Sequence, residues 1–313
     1  MIRILVRRLL LSVPLLFVVS IVVFVLQSLI PGDAASQLAG LQATRADVQR
    51  LREQLSLDEP VWVQYWHWLD GVFHGSLGTS LTNKEAVTAA LGTRLPVTLS
   101  LVLGATLLAT VLGVVLGVFS SRAGPLAGRM VGLLSIGGLA VPSFWLGLLL
   151  ISLMSVKLGL LPATGYVKFA DSPSGWAQSL LLPVVALALA GVTAIAKQTR
   201  EAMLDVLRRP YIDNLRANGV PERSIVFKHA LRSAAIPICT MSSILLVGAL
   251  GGSIVIEQVF GLPGLGSLAV SATGSKDIPV IQGVAVYFTL LVVAANLLTD
   301  IAYLLIDPRV RAS

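Results

Sequence analysis

His67, Asp70 and His74 stand at i, i+3 and i+7, so a helix through them would carry two imidazoles and a carboxylate on one face. Such a donor set could hold a metal, but it equally describes a solvated helix face, which is the reading adopted: no metal. Gly264-Leu-Gly-Ser267 faintly resembles a serine nucleophile loop, yet no span carries a histidine that could serve as its base. The chain lacks Gly-x-x-x-x-Gly-Lys-Ser/Thr, Gly-x-Ser-x-Gly, His-Glu-x-x-His and paired Cys-x-x-Cys. Covalent catalysis, an ATP site and a resident cofactor are therefore not expected within it. Cys239, the single cysteine, lies in an apolar run and reads as a small buried hydrophobe. Ionisable groups inside spans are the usual functional flag in a membrane protein. Asn296 and Asp300, four residues apart on the last apolar run, are expected to face a helix bundle together and to hydrogen-bond across it.

The elements that would position these groups are long and apolar. The 313 residues are 55% hydrophobic and 12% charged, with a mean hydropathy of +0.85. The apolar residues come in runs near the helical length that crosses a bilayer. The alternating pattern of a membrane β-barrel is absent. The chain reads as an all-α polytopic membrane protein with six transmembrane helices, at 9–30, 97–120, 130–156, 180–199, 236–258 and 280–305. The first run is too long for a signal peptide and is read as a retained span behind a short basic N-terminus, residues 1–8. Residues 31–96 are polar and rich in Trp and Tyr near 62–68, and are expected to form a small extracytoplasmic subdomain. Pro142 and Pro183 interrupt or begin spans. Gly113-x-x-x-Gly117 and Gly248-x-x-x-Gly252 are expected to let helices approach closely.

Charge sets the orientation. Of 23 Lys and Arg, fifteen fall within residues 1–8, at 121–129, from Lys197 to 235 and past 305. These segments share one side when six spans start from a cytoplasmic N-terminus, so both termini and the 306–313 tail are placed in the cytoplasm. The net charge of +7 is then a topology marker and requires no nucleic acid.

The most polar of these segments is 200–235. Residues 201–215 are helix-compatible with a break at Pro210; Gly219 suits a left-handed helix C-terminus, and Pro221 suits the first turn of another helix. Beyond it Phe227, Ala230, Leu231 and Ala234 form an apolar stripe, with Lys228 and Arg232 on another face. On the residues alone this helix–turn–helix is compatible with DNA binding, with lying on anionic headgroups, or with docking a cytoplasmic partner. Tethering between two spans disfavours the first.

The stretch YIDNLRANGVPERSIVFKHALRSAAIP, from Tyr211 to Pro237, resembles the cytoplasmic coupling loop of binding-protein-dependent ABC importer permeases, in their dipeptide/oligopeptide/nickel group. Gly219 stands at that loop's glycine, with Tyr211, Arg216, Ala217, His229, Ala230, Leu231, Arg232 and Pro237 matching around it. Asn214-Leu215 replace the usual Thr-Ala, and Asn218 replaces a usual lysine. Other matches follow in order: Pro31-Gly32-Asp33, Leu57-Asp58-Glu59-Pro60, Gly75-Ser-Leu-Gly78-Thr-Ser80, Pro142-Ser-Phe144-Trp145-Leu-Gly147, Leu161-Pro162-Ala-Thr-Gly165, Phe260-Gly-Leu-Pro-Gly264-Leu-Gly266, Asn296-Leu-Leu-Thr-Asp300 and Asp307-Pro308-Arg309. Each is weak alone; their order and spacing are specific.

The resemblance implies a type I ABC importer permease fold in a bacterial or archaeal cytoplasmic membrane. It also implies a homologous second permease, two ATPase subunits carrying ATP and Mg, and an extracytoplasmic solute-binding protein. The coupling set would be Tyr211, Arg216, Ala217, Gly219, Val220, Pro221, Glu222, Arg223 and His229. Phe260, Gly261, Pro263, Gly264 and Gly266 would contact the binding protein, the glycines letting backbone enter its cleft. Di- or oligopeptides are the expected solute, with nickel or glutathione as alternatives within the family. An ion-coupled secondary carrier is the alternative outside it.

Overall fold

The computed structural model describes residues 2–29, 34–39 and 43–306. The matches at Pro31-Gly32-Asp33 and Asp307-Pro308-Arg309, and the tail past 306, lie outside the described residues. Among the described residues thirteen α-helices follow one another, two of them continued by π-helical turns, and no strand forms. Five helices among the described residues are long and apolar enough to span a membrane, and a bent pair is a sixth where its two arms count as one span. Most spanning helices outrun the runs that announced them. α5 is Val87–Arg122, α8 Pro173–Leu207, α11 Leu231–Val259 and α13 Ile278–Ile306.

The expected span 130–156 is the exception. It consists of α6 (Gly124–Ala140) and α7 (Ser143–Leu150), the latter extended by a π-helix over Ile151–Lys157, and the two arms meet at 92°. Pro142 lacks the N–H that would continue the ladder, and Val141 before it is extended at φ −82°, ψ 119°. Pro183 and Pro237 lie inside helices without breaking them.

The chain divides into two units, residues 1–98 with 263–293 and residues 99–262 with 294–313. In the second, α8 is the hub. Its small residues Ala188, Gly191, Ala194 and Ala196 leave room for neighbours. Gly113 and Gly117 of α5 face it so closely that added Cβ atoms would lie 2.7 Å from Ile195 and 2.4 Å from Thr199. The second expected glycine pair differs: Gly252 approaches Leu187, whereas Gly248 has nothing within 4 Å, and both glycines line a cavity.

In the first unit, α1 (Ile2–Ser28) holds α4 (Val61–Phe73). Ser20 Oγ and the Tyr65 hydroxyl lie 2.9 Å apart, and the Phe24 and Tyr65 rings meet edge to face at 5.5 Å. α3 (Arg45–Gln54) starts with a capping box, and hydrogen bonds from Thr44 hold the Asp47 carboxyl below its ordinary pKa. α12 (Leu265–Ser275) lies between the last two expected spans. Its Leu265 N–H donates to Thr98 Oγ1 at 2.8 Å.

Candidate functional site

α8 ends at Leu207 and a short helix, α9 (Pro210–Ala217), follows with Pro at its first position. Ile212 is its one buried residue; Tyr211, Arg216, Ala217 and Gly219 are exposed. Gly219 sits at φ +74°, the left-handed region where side chains other than Gly are strained. Its N–H donates to the Arg216 carbonyl at 3.0 Å, and the Val220 N–H donates to the Leu215 carbonyl at 3.0 Å. These two bonds are the Schellman closure of a helix.

Across this turn Arg216 acts as a brace. One guanidinium nitrogen donates to Asp213 at 3.2 Å; the others reach the two Glu222 oxygens at 3.4 and 3.2 Å. Hydrogen bonding to Glu222, reinforced by Asp213, holds the Arg216 pKa above its ordinary value. Pro221 does not open the next helix but precedes it, at ψ 139°, with Glu222 as the first helical residue. Arg223 is exposed and His229 half-buried.

From Ile225 to Ala230 the helix is π-wound, which alters the expected apolar stripe. Val226, Ala230 and Ala234 enter the core that Met203 and Val206 also share. Phe227 turns outward, 59% exposed, because the wider turn rotates it off the i, i+3 face. Ile225, unremarked in the sequence pattern, is fully buried.

The second glycine-rich stretch repeats the backbone closure. At the end of α11 the Gly261 N–H donates to the Gln258 carbonyl at 3.4 Å and the Leu262 N–H to the Glu257 carbonyl at 2.8 Å, with Gly261 at φ +60°. Its surroundings differ. Phe260 and Leu262 are 2% and 1% exposed, Gly264 and Gly266 are buried, and Gly261 and Pro263 remain open. The Phe260 ring rests on Gly147, where an added Cβ would lie 3.0 Å from it, and the Phe260 carbonyl accepts the Gly165 N–H at 3.0 Å. Two motifs read separately in the sequence, at 142–147 and 161–165, thus hold Phe260.

On α13 Asn296 is exposed and Asp300 half-buried, so the pair does not turn into the bundle together. The helix is tied to α11 through Thr299, paired with Ser243, and through Tyr303, which donates to Thr240 at 2.7 Å. At 100° per residue the Thr299–Tyr303 row is centred about 60° round the helix from the Asn296–Asp300 row. His67 and His74 are also apart in role: His67 pairs with Glu59 at 3.2 Å, while His74 Nδ1 meets the Asp70 carbonyl oxygen at 2.8 Å. Among the described residues no group of three or more His, Cys, Asp or Glu could hold a metal.

Sequence reasoning missed Asp277. Its buried carboxylate accepts from four donors, Ser80 Oγ, Leu81 N, Thr82 N and Thr82 Oγ1, pinning the end of the Gly75–Ser80 motif. A lone acid between two helices gives no periodic signal. It also missed a cavity of about 340 Å³ at the α6–α7 break, lined by Pro142, Ser143, Ala188, Gly248 and Thr106. The Thr106 hydroxyl is buried without a hydrogen-bond partner.

Comparison with known proteins fits this architecture. Residues 109–312 match the family described as "Binding-protein-dependent transport system inner membrane component", and residues 1–102 match its N-terminal domain. A Brucella abortus protein named as a peptide transport system permease is 42% identical over 313 residues, covering 97% of this chain and 98% of that one. A glutathione transport system permease of Escherichia coli is 37% identical over 319 residues, covering 99% of both. The inward-facing MetNI methionine ABC transporter shares the fold, with a TM-score of 0.57 at 21% identity over 70% of this chain and 97% of that chain. Spanning helices in this number, and relatives alike from end to end, have one common account: the chain belongs to the inner-membrane permease subunits of binding-protein-dependent ABC importers.

Proposed function

We propose that the chain forms half of a peptide path, paired with a homologous permease, fed by a solute-binding protein and driven by two ATPase subunits at the Gly219 turn. The observation carrying this reading is the Schellman turn itself, exposed on its outer side and braced by Arg216 between Asp213 and Glu222. A lever needs a tip that partners can reach and that does not fold away when pushed. Tyr211, Ala217, Gly219, Val220, Pro221 and Arg223 form that tip; Ile212 and Ile225 are buried beneath it, and Val226 roots it in the core shared with Met203 and Val206. Force on the tip would pass to both long helices and select between two bundle packings.

The basic turn faces the cytoplasm in this reading, with both termini on the same side and residues 31–96 on the opposite side. The cavity at the α6–α7 break lines the path, since irregular backbone at membrane depth is tolerated where it borders a cavity. Peptide is the solute favoured by the Brucella relative, with glutathione, itself a peptide, in the Escherichia relative. Catalysis stays with the ATPases, where ATP and Mg bind. The test is Gly219→Asp in the assembled transporter. The variant should insert normally and leave ATP hydrolysis running while uptake into proteoliposomes is lost; coupled uptake at the normal rate would sink the lever.

A further inference from the structure

α4 divides lengthwise into three sectors. At 100° per residue, Trp62, Trp66 and Phe73 fall within an arc of roughly 40°, and they are 67%, 62% and 72% exposed. On one side of that arc lies the packed sector. Leu69 is buried there, Tyr65 meets Ser20 and Phe24, and Trp68 and Val72 rest on the Leu77–Val87–Leu91 core. On the other side lies a polar sector with His67 and Asp70, whose side chains are 66% and 77% exposed. A helix in water has no use for three large aromatics side by side on its open face.

The depth of α4 explains them. The apolar window of α1 runs from Leu10 to Ser28, a length that matches the hydrocarbon thickness. Tyr65 touches Phe24 and Ser20, which lie four and eight residues inside the Ser28 end. At 1.5 Å per residue those contacts sit about 6 and 12 Å below the end of the span. Gln282, one turn into α13, reaches the same level, its amide donating to the Ser20 carbonyl at 3.5 Å. α4 therefore runs alongside the last turns of α1 rather than above them. The open face of α1 at this level carries Val25 and Leu26, 46% and 57% exposed, apolar side chains suited to lipid at the same depth.

We propose that α4 is an in-plane interfacial helix, with Trp62, Trp66 and Phe73 seated at the boundary of acyl chains and headgroups and with His67 and Asp70 toward water. Trp at that boundary keeps its ring in the apolar layer and its N–H among headgroups. Aromatic and charged sectors divided lengthwise are the arrangement an interfacial helix requires. The segment expected to stand clear of the membrane is then partly embedded, and α4 fixes the depth and rotation of α1. This placement is independent of the coupling turn and of the solute.

Spin labels test it in the full chain, reconstituted in lipid nanodiscs in a Cys239→Ala background. Trp62→Cys and Trp66→Cys carry labels on the aromatic face; His67→Cys and Asp70→Cys carry labels on the polar face. The ratio of collisions with lipid-soluble oxygen to those with a water-soluble nickel chelate should be at least about threefold higher at 62 and 66 than at 67 and 70. Equal ratios at all four positions would put the face in water, and exclusion of both reagents at 62 and 66 would put it under protein; either result overturns the proposal. Should a label disturb folding, the unlabelled chain answers in nanodiscs of phospholipid brominated near the headgroup end. Bromine quenching of tryptophan should fall by about a third or more in Trp62→Phe/Trp66→Phe, and quenching unchanged from the parent would overturn the placement.

Discussion

The turns at Gly219 and Gly261 share one backbone device and differ in what surrounds it. Both close a helix by the Schellman pair of hydrogen bonds around a left-handed glycine. At Gly219 the neighbours are Arg216, Asp213 and Glu222, and the brace is ionic and solvated. At Gly261 the neighbours are Phe260 and Leu262, both buried, and the brace is packing against Gly147 and a bond from Gly165. An ionic brace keeps a turn in shape while leaving its outer surface free for another protein. A packed brace spends that surface on the chain's own core, so the Gly261 stretch is a strut with two open residues, Gly261 and Pro263, rather than a free loop. Contact with a solute-binding protein through this stretch would have to use those two in the conformation seen here.

The difference can be broken from its strongest side. Phe260→Ala removes a ring that nothing else replaces and should lower stability by about 3–5 kcal/mol, read as a fall in the melting temperature of the purified chain. Tyr211→Ala, on the exposed side of the first turn, should stay within about 0.5 kcal/mol. Equal melting of the two variants would remove the contrast. Gly147→Val presses on Phe260 from the other side and should cost about 1–3 kcal/mol through overpacking; a neutral result in the same assay would show that the ring has room to move.

The shared device predicts equality where the surroundings predict difference. Gly219→Ala and Gly261→Ala each place a Cβ at positive φ, and an added Cβ meets nothing within 4 Å at Gly219 and only an ordinary 3.6 Å contact at Gly261. Each should cost about 1 kcal/mol, with Asn recovering part of it, since Asn tolerates this conformation. ATP-driven uptake should fall with Gly219→Ala beyond what stability explains and hold with Gly261→Ala. Matching losses of transport would mean that both turns are coupling surfaces. The brace is expected to contribute little: Arg216→Ala should shift stability by no more than about 1 kcal/mol, and the shift should shrink in concentrated salt as screening removes it. A shift unchanged by salt would mean that Arg216 works by packing, as Phe260 does.

Spanning helices were legible because their signal is cumulative: some twenty apolar residues in a row admit few other readings in α1, α5, α8, α11 and α13. The glycine at 219 was legible because a turn residue between two helical patterns carries its own backbone requirement. The right-angle break at Val141–Pro142 was half legible, since a proline announces an interruption but not its angle. The π-turn at Ile225–Ala230 was invisible, because winding the helix wider changes no residue type, and it moved Phe227 out and brought Ile225 in. Asp277 and α12 were missed for a related reason, as a clamp built across 195 residues of chain leaves no mark in local pattern.

By itself the sequence determined the class of protein, the apolar runs, the family and the place of the Gly219 turn. Length, hydropathy and backbone chirality act within a few turns of chain, so neighbouring residues suffice to express them. The tertiary structure decided which turn stays open and which is buried, which face of α13 meets α11, and at what depth α4 lies beside α1. Those outcomes depend on partners distant in sequence, Gly147 and Gly165 for Phe260 and Ser20 for Tyr65, and a residue's burial is set by what arrives against it.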